Sequence, residues 1–167
     1  MKLQRQKIET KEEVEELYHV IQRIWPEVFT PIIGAEQVAY MLRTYQSPEN
    51  IFSEISNGAN YFLLKAEGEP IGYTAYEVQE EVIYLSKIYL QDSVRGKGYS
   101  SEVFDWYEEV ARKNHKKRLR LRVNQENKRA IEVYIHRQFV NKGVLISPIG
   151  EGFEMTDYVF EKEISEK

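Results

Sequence analysis

Cysteine is missing from this 167-residue chain. Neither a disulfide framework nor protein-thiol chemistry can operate in it. Histidine is scarce: His19, His115 and His136 stand far apart. They form no cluster with metal-ligand spacing, so no metal site is expected. Long apolar runs are missing too. None approaches the ~20 residues that cross a bilayer, and Met1–Glu9 lacks the apolar segment of a signal peptide. The expectation is a soluble, cytoplasmic protein with no membrane partner. Positive charge is not in excess either, since 23 Lys and Arg face 27 Asp and Glu, for a net charge of −4. Nucleic-acid binding usually leaves a basic footprint, so no nucleic-acid partner is expected.

One basic stretch stands against that background: Arg112, Lys113, Lys116, Lys117, Arg118, Arg120 and Arg122. Its plain reading is a solvated helix end followed by the outer face of a strand. Attraction of an anionic cofactor is the functional reading, and a nucleic-acid-binding module the rival one. The remaining composition, 42% hydrophobic and 30% charged, is ordinary for a globular protein. The length fits one domain, residues 1–167, around one core.

Residues 2–8 permit a first strand. Thr10 precedes Glu13 by three residues, a capping-box spacing. Val14, Leu17, Tyr18, Ile21, Ile24 and Trp25 follow at helical spacing, and Pro26 is expected to end that helix. Ala35, Val38, Ala39, Leu42 and Tyr45 mark a second helix. Ser47-Pro48-Glu49 reads as the start of a third, with proline in the first helical position. Tyr61–Leu64, Ile71–Val78 and Val82–Leu90 then read as an antiparallel meander. A glycine-bearing loop over residues 91–98 leads into a helix with Val103, Trp106, Tyr107, Val110 and Ala111 on one face. Leu119–Val123 alternates as a half-buried strand. Asn127 opens a last helix to about Arg137. Two strands follow near Phe139–Ser147 and Phe153–Glu163, joined through Pro148 and Gly150. The order is β-αα(α)-βββ-α-β-α-ββ, an α+β domain with a mixed sheet.

Arg95-Gly96-Lys97-Gly98-Tyr99-Ser100 lies between a predicted strand and a predicted helix. A helix start aims unpaired backbone N–H groups outward, and the helix dipole adds about half a positive charge there. Such a place suits phosphate. Glycines let the backbone approach a ligand closely. Alone, the loop fits a flexible surface turn equally well. It lacks the Gly-Lys-Ser/Thr ending of a nucleotide-hydrolysing P-loop and the third glycine of a dinucleotide fold.

Arg95-x-x-Gly98-x-Ser100, after a strand and opening a helix, resembles the acetyl-CoA pyrophosphate signature of the GCN5-related N-acetyltransferases, Gln/Arg-x-x-Gly-x-Gly/Ala. Ser100 departs from the usual small apolar residue. A second segment, Asn127-Lys128-Arg129-Ala130-Ile131-Glu132-Val133-Tyr134, matches the family's Asn-x-x-Ala-Ile-x-x-Tyr. Phe139 stands where the family has Phe, and Gln138 replaces the usual Gly. Asn127, Ala130, Ile131 and Tyr134 share one helix face. Read singly, Tyr134 is a core aromatic and Asn127 a cap. The resemblance covers the chain from about Tyr61 to Glu163. It implies a mostly antiparallel sheet with helices on both faces.

The resemblance also implies the chemistry: transfer of an acetyl group from acetyl-CoA to a primary amine, by direct attack on the thioester and without a metal. Tyr134 would protonate the departing thiolate. Arg95, Gly96, Lys97, Gly98, Tyr99 and Ser100 would hold the pyrophosphate. Asn127 and the backbone of Ile88, Tyr89 and Leu90 would hold the pantetheine arm. Many relatives carry a Glu in this strand where Tyr84 stands, with Ser86 next on its face. Glu77, Glu80 and Glu81 either activate a water or solvate a turn, and no base is assigned. The layout is similar to bacterial spermidine/spermine acetyltransferases. Glu151, Glu154 and Asp157 suit a polyamine or other small cationic amine, or merely keep a sheet edge soluble. Protein or peptide amines are the alternative acceptors, and a non-catalytic acyl-CoA sensor is the alternative function. Aromatic residues in Phe153–Phe160, on an exposed strand, would serve a homodimer.

Overall fold

The computed structural model describes residues 3–166. Strand β1 (Leu3–Lys7) comes first, and the capping box forms after it. Thr10 Oγ1 accepts from the Glu13 N–H at 3.2 Å, and Glu13 Oε1 accepts from the Thr10 N–H at 2.9 Å. Backbone N–H donation from Thr10 and Glu9 holds the Glu13 carboxyl below its ordinary range. Helix α1 (Lys11–Ile33) then runs straight past the expected stop, with Pro26 and Pro31 inside it. An internal proline usually costs a helix about 3 kcal/mol. Packing offsets it here: Ile21, Ile24, Trp25 and Phe29 are buried, and Trp25 stacks on Phe29 with ring centroids 4.4 Å apart. Each such side chain contributes about 1.5–3 kcal/mol on burial.

Helices α2 (Ala35–Thr44) and α3 (Pro48–Ser56) follow, the latter capped by Ser47 Oγ, which accepts from the Asn50 N–H. The remaining elements are β2 (Asn60–Ala66), β3 (Glu69–Val78), β4 (Val82–Leu90), α4 (Tyr99–Lys113), β5 (Arg118–Asn124), α5 (Lys128–His136), β6 (Val140–Gly150) and β7 (Phe153–Glu163). A short 3₁₀ turn at Asp92–Val94 precedes α4. The seven strands are ordered β1-β2-β3-β4-β5-β7-β6. Pairing is antiparallel for β1–β2, β2–β3, β5–β7 and β6–β7, and parallel for β4–β5. This is the mixed, mostly antiparallel α+β fold that the element order implies.

The chain divides into two compact units. One holds the residues up to Glu77 together with Lys87–Asp105. Its core includes the α1 face above and the fully buried Tyr61 and Tyr73. The other holds Val78–Ser86 and the chain from Trp106 onwards. Its core gathers Tyr107, Leu119, Leu121, Tyr134, Phe139 and Phe160. On α4, Phe104 is buried and Trp106 only half-buried, the reverse of the weight the helical pattern gave Trp106.

The last two strands also differ from expectation. Pro148 and Gly150 lie inside β6, with a register shift between them, and the turn is made by Glu151 and Gly152 instead. Strand β7 is flanked by β5 and β6, so the outer strand is β6. Proline and register shifts are what an outer strand tolerates.

Helix α5 ends without the glycine found at this place in the resembling family. Gln138 takes the left-handed conformation itself, at φ 73°. Its N–H reaches the Ile135 carbonyl, and the Phe139 N–H reaches the Tyr134 carbonyl, both at 2.9 Å. This pair of bonds is the Schellman termination, and the Phe139–Tyr134 ring contact (5.9 Å between centroids) is its usual apolar companion. A side chain in that conformation costs roughly 1–2 kcal/mol. Gln138→Gly should therefore stabilise the protein by about 0.5–1 kcal/mol after the extra freedom of glycine in the unfolded chain is allowed for. Urea unfolding of the two proteins measures it, and an unchanged midpoint would show that Gln138 bears no strain.

Candidate active site

In the first unit, β3 approaches the end of β4 unusually closely. A Cβ on Gly72 would lie 2.2 Å from the Tyr89 carbonyl oxygen, so residue 72 has no room for a side chain. One pleat earlier, the buried Thr74 hydroxyl donates to the Lys87 carbonyl at 2.6 Å. The Gln91 N–H donates to the Ile71 carbonyl at 2.8 Å. Residues 87, 89 and 91 thus turn their polar backbone towards β3. The parallel ladder of β4 with β5 covers only Val82–Leu85, so these residues lie beyond it. Of the three backbone positions expected to meet pantetheine, Tyr89 has its carbonyl against Gly72 of β3.

The loop after β4 is built by short-range bonds. Gln91 Nε2 donates to Ser93 Oγ at 2.9 Å, and the Arg95 N–H donates to the Asp92 carbonyl at 3.1 Å. The Arg95 guanidinium also pairs with the Asp92 carboxylate. The Asp92 N–H donates to Glu27 Oε2 of α1 at 3.1 Å. Val94 is buried and anchors the turn. Gly96 and Gly98 have φ of 80° and 85°, a region that favours glycine. Helix α4 begins at Tyr99, and the Gly98 carbonyl accepts from the Glu102 N–H at 3.3 Å. The main-chain N–H groups just before Glu102 therefore have no partner within the helix. Tyr99 is largely buried. Lys97 is exposed, and Arg95 and Ser100 are half-buried. Left-handed glycines, a cation and a helix start fit a pyrophosphate group.

Asn127 and Tyr134 belong to the second unit. Asn127 caps α5, its Oδ1 accepting from the Ala130 N–H at 3.4 Å. Tyr134 is 7% exposed, with Phe139 and Phe160 against its ring at 5.9 and 6.2 Å. Both plain structural roles are therefore real.

The basic stretch is largely matched by carboxylates. Arg112 pairs with Glu108 and Glu109, Lys117 with Glu81, Arg118 and Arg120 with Glu161, and Arg122 with Asp157. Lys116 donates to the Glu80 carbonyl. Asp157 is buried and already holds Arg122 at 3.0 Å, which in turn donates to Ser147 at 2.8 Å. Burial pushes the Asp157 carboxyl above its ordinary range, against the pull of Arg122. It is thus committed within the fold. Among the described residues, no group of three or more His, Cys, Asp or Glu could hold a metal ion, and no helix is long and apolar enough to cross a membrane.

Gly72, Thr74, Asp92 and Glu27 were not singled out from sequence. Only Gly72 left a signal there, as an isolated glycine in a run of strand-forming residues. Gly72→Ala should displace the β4 backbone at Tyr89. We expect a loss of about 1–3 kcal/mol in stability and weaker CoA binding. Thermal unfolding and calorimetry test this, and wild-type values in both would refute the close approach.

Three comparisons bear on the arrangement. The family model described as Acetyltransferase (GNAT) family matches residues 14–139. The chain is 24% identical over 164 residues to an uncharacterized N-acetyltransferase in the pepI 3′ region of Lactobacillus delbrueckii subsp. lactis, covering 93% of this chain and 94% of the relative. Its fold is similar to PaiA N-acetyltransferase from Thermoplasma acidophilum, solved in complex with coenzyme A. There the TM-score is 0.76 at 20% identity, over 98% of this chain and 99% of that one. It is also similar to the ribosomal-protein-S18-alanine N-acetyltransferase from Escherichia coli, with a TM-score of 0.71 at 17% identity, over 99% and 96% of the two chains. With a family model spanning well over half of its length, the chain belongs to the GNAT family of acetyltransferases.

Proposed function

We propose that the chain transfers the acetyl group of acetyl-CoA to a primary amine by direct attack on the thioester. The observation that carries this reading is the built loop Arg95–Ser100: two left-handed glycines delivering the chain into α4 beside a positioned arginine. Its backbone N–H groups, with Arg95 and Lys97, take the pyrophosphate. The backbone of Ile88–Leu90, beyond the ladder of β4 with β5, pairs with the pantetheine amides like an added strand. Its N–H donors also stabilise charge on the thioester oxygen.

The amine must reach its neutral form. A lysine-like amine has a pKa near 10.4, so at pH 7 about one in ~2,500 is neutral, a cost of roughly 4.6 kcal/mol. The ammonium first gives one proton to water; the C–N bond then forms and the C–S bond breaks, and the second proton lost by the nitrogen passes through water to replace the one Tyr134 gives up. Tyr134 supplies a proton to the departing sulfur, since a phenol with a pKa near 10 is protonated at neutral pH. Asn127 holds the pantetheine end by its amide N–H while its oxygen caps α5.

For the acceptor, the net charge of −4 favours a cation, and polyamines head the panel to be tested. The carboxylate argument for them is narrower than the sequence suggested, because Asp157 is spent on Arg122. Peptide amines form the second class.

The decisive assay is thiol release from acetyl-CoA with spermidine, spermine, aminoglycosides and short peptides. Tyr134→Phe should lower kcat with the best acceptor by about 10²-fold while CoA affinity by calorimetry stays at the wild-type level. Tight CoA binding with no release for any amine, in wild type and variant alike, would favour a non-catalytic acyl-CoA sensor.

We further propose that two copies join through β6. Val140, Val144, Leu145 and Ile146 are exposed on this outer strand, and Lys142 is its single charged residue. Outer strands are normally guarded by charge, and a strand paired antiparallel with its own copy closes a two-fold dimer. Sedimentation should show a dimer at micromolar concentration for wild type and a monomer for Val144→Lys/Ile146→Lys. A monomeric wild type rejects this assignment.

A further inference from the structure

The loop that takes the pyrophosphate in our functional reading is tied to a side chain of α1. Glu27 Oε2 accepts the Asp92 N–H at 3.1 Å. Asp92 in turn holds Arg95 twice, through its carbonyl to the Arg95 N–H at 3.1 Å and through its carboxylate to the guanidinium. The order Glu27, Asp92, Arg95 is a relay of three bonds ending on the cation of the glycine loop. We propose that Glu27 is a positioning residue for the coenzyme: it fixes the 3₁₀ turn Asp92–Val94, and thereby the direction in which the Arg95 side chain points. The inference rests on the reading of Arg95–Ser100 as the pyrophosphate loop.

The place of Glu27 in its helix strengthens the case. It lies between Pro26 and Pro31 in α1. Neither proline can donate an intrahelical bond, so this part of the helix is weaker than the part before it. On such a segment an exposed carboxylate has no evident reason to be tied to a loop 65 residues away in sequence, unless the tie serves the loop. The acceptor is ionised and the donor is a backbone N–H, a charge-assisted pair. Moreover, two carboxylates beside a phosphate loop oppose anion binding by their charge alone. Their presence is understandable when they act by geometry: a guanidinium carries five N–H donors, and a single Asp92 carboxylate fixes its plane without using them all. Sequence proximity does not explain the arrangement either, because Glu27 reaches Asp92 only through the packing of α1. Phe29 of the same helix packs against Tyr89, with 5.8 Å between ring centroids.

The test is calorimetric titration of the full chain with CoA, which needs no knowledge of the acceptor. Glu27→Ala should weaken CoA binding by about three- to ten-fold, the worth of one hydrogen bond of this kind. Glu27→Gln should restore most of the affinity, because an amide oxygen accepts the same N–H without the charge. In an Arg95→Ala background, Glu27→Ala should have little further effect, since the relay ends on Arg95. Unfolding temperature without ligand should be the same for Glu27→Ala and Glu27→Gln. Wild-type affinity in Glu27→Ala overturns the proposal, as does a loss of equal size with and without Arg95. A Gln variant as weak as the Ala variant overturns it too, by showing that charge and not hydrogen bonding is at work. Failure of the underlying reading looks different: Arg95→Ala would then bind CoA like wild type.

Discussion

A carbonyl oxygen where a side chain would otherwise stand governs much of this molecule. Tyr89 turns its C=O onto Gly72, and Thr74 takes the carbonyl of Lys87 with its hydroxyl. These two contacts fix the pleat of β4 at its C-terminal end. Gln91 is drawn back to β3 by its bond to Ile71, and the chain leaves the sheet at a set angle into the 3₁₀ turn. The glycine loop inherits its orientation from that exit. A methyl group at residue 72 would disturb the strand first and the loop second.

Charge in the second unit follows a different logic. Arg118, Arg120 and Arg122 alternate along β5, and β7 answers with Glu161 and Asp157. The carboxylates of these pairs are largely shielded from water, so the attraction is offset by the cost of taking the charges out of it. Their effect here is to cancel a basic stripe that would otherwise attract polyanions. Glu108 does the same for Arg112, Arg137 and Lys162. Of the seven clustered basic residues, Arg112, Lys117, Arg118, Arg120 and Arg122 each have a carboxylate partner.

The elements were legible because their signals are local. The Thr10–Glu13 box, the Ser47-Pro48 start and the clean alternation of Leu119–Val123 each depend on a few neighbouring residues. The course of α1 was not legible, because Pro26 is locally a stop and only the burial of Trp25 and Phe29 overrides it. Likewise Pro148 and Gly150 read as a turn but sit in an outer strand that can accommodate them. At the candidate site, the glycine loop and the Asn127–Tyr134 spacing were readable as patterns. Glu27 was not, since nothing near it in the chain points to Asp92. Tertiary partners of single polar side chains leave no periodic trace.

The two readings of Tyr134, core aromatic and proton donor, are not rivals. Its ring is enclosed by Phe139 and Phe160, and its carbonyl closes the helix end through Phe139. A general acid must hold its proton in one place through the reaction, within a fraction of an ångström. A tyrosine on a mobile surface turn could not do so. The packing that identifies Tyr134 as structural is what would make its hydroxyl usable. The same holds for Asn127, whose oxygen is engaged by the cap and whose amide is thereby aimed. In this helix the strained Gln138 stands one residue from Phe139. The termination it sustains therefore belongs to the support of the candidate acid as much as to the stability of the fold.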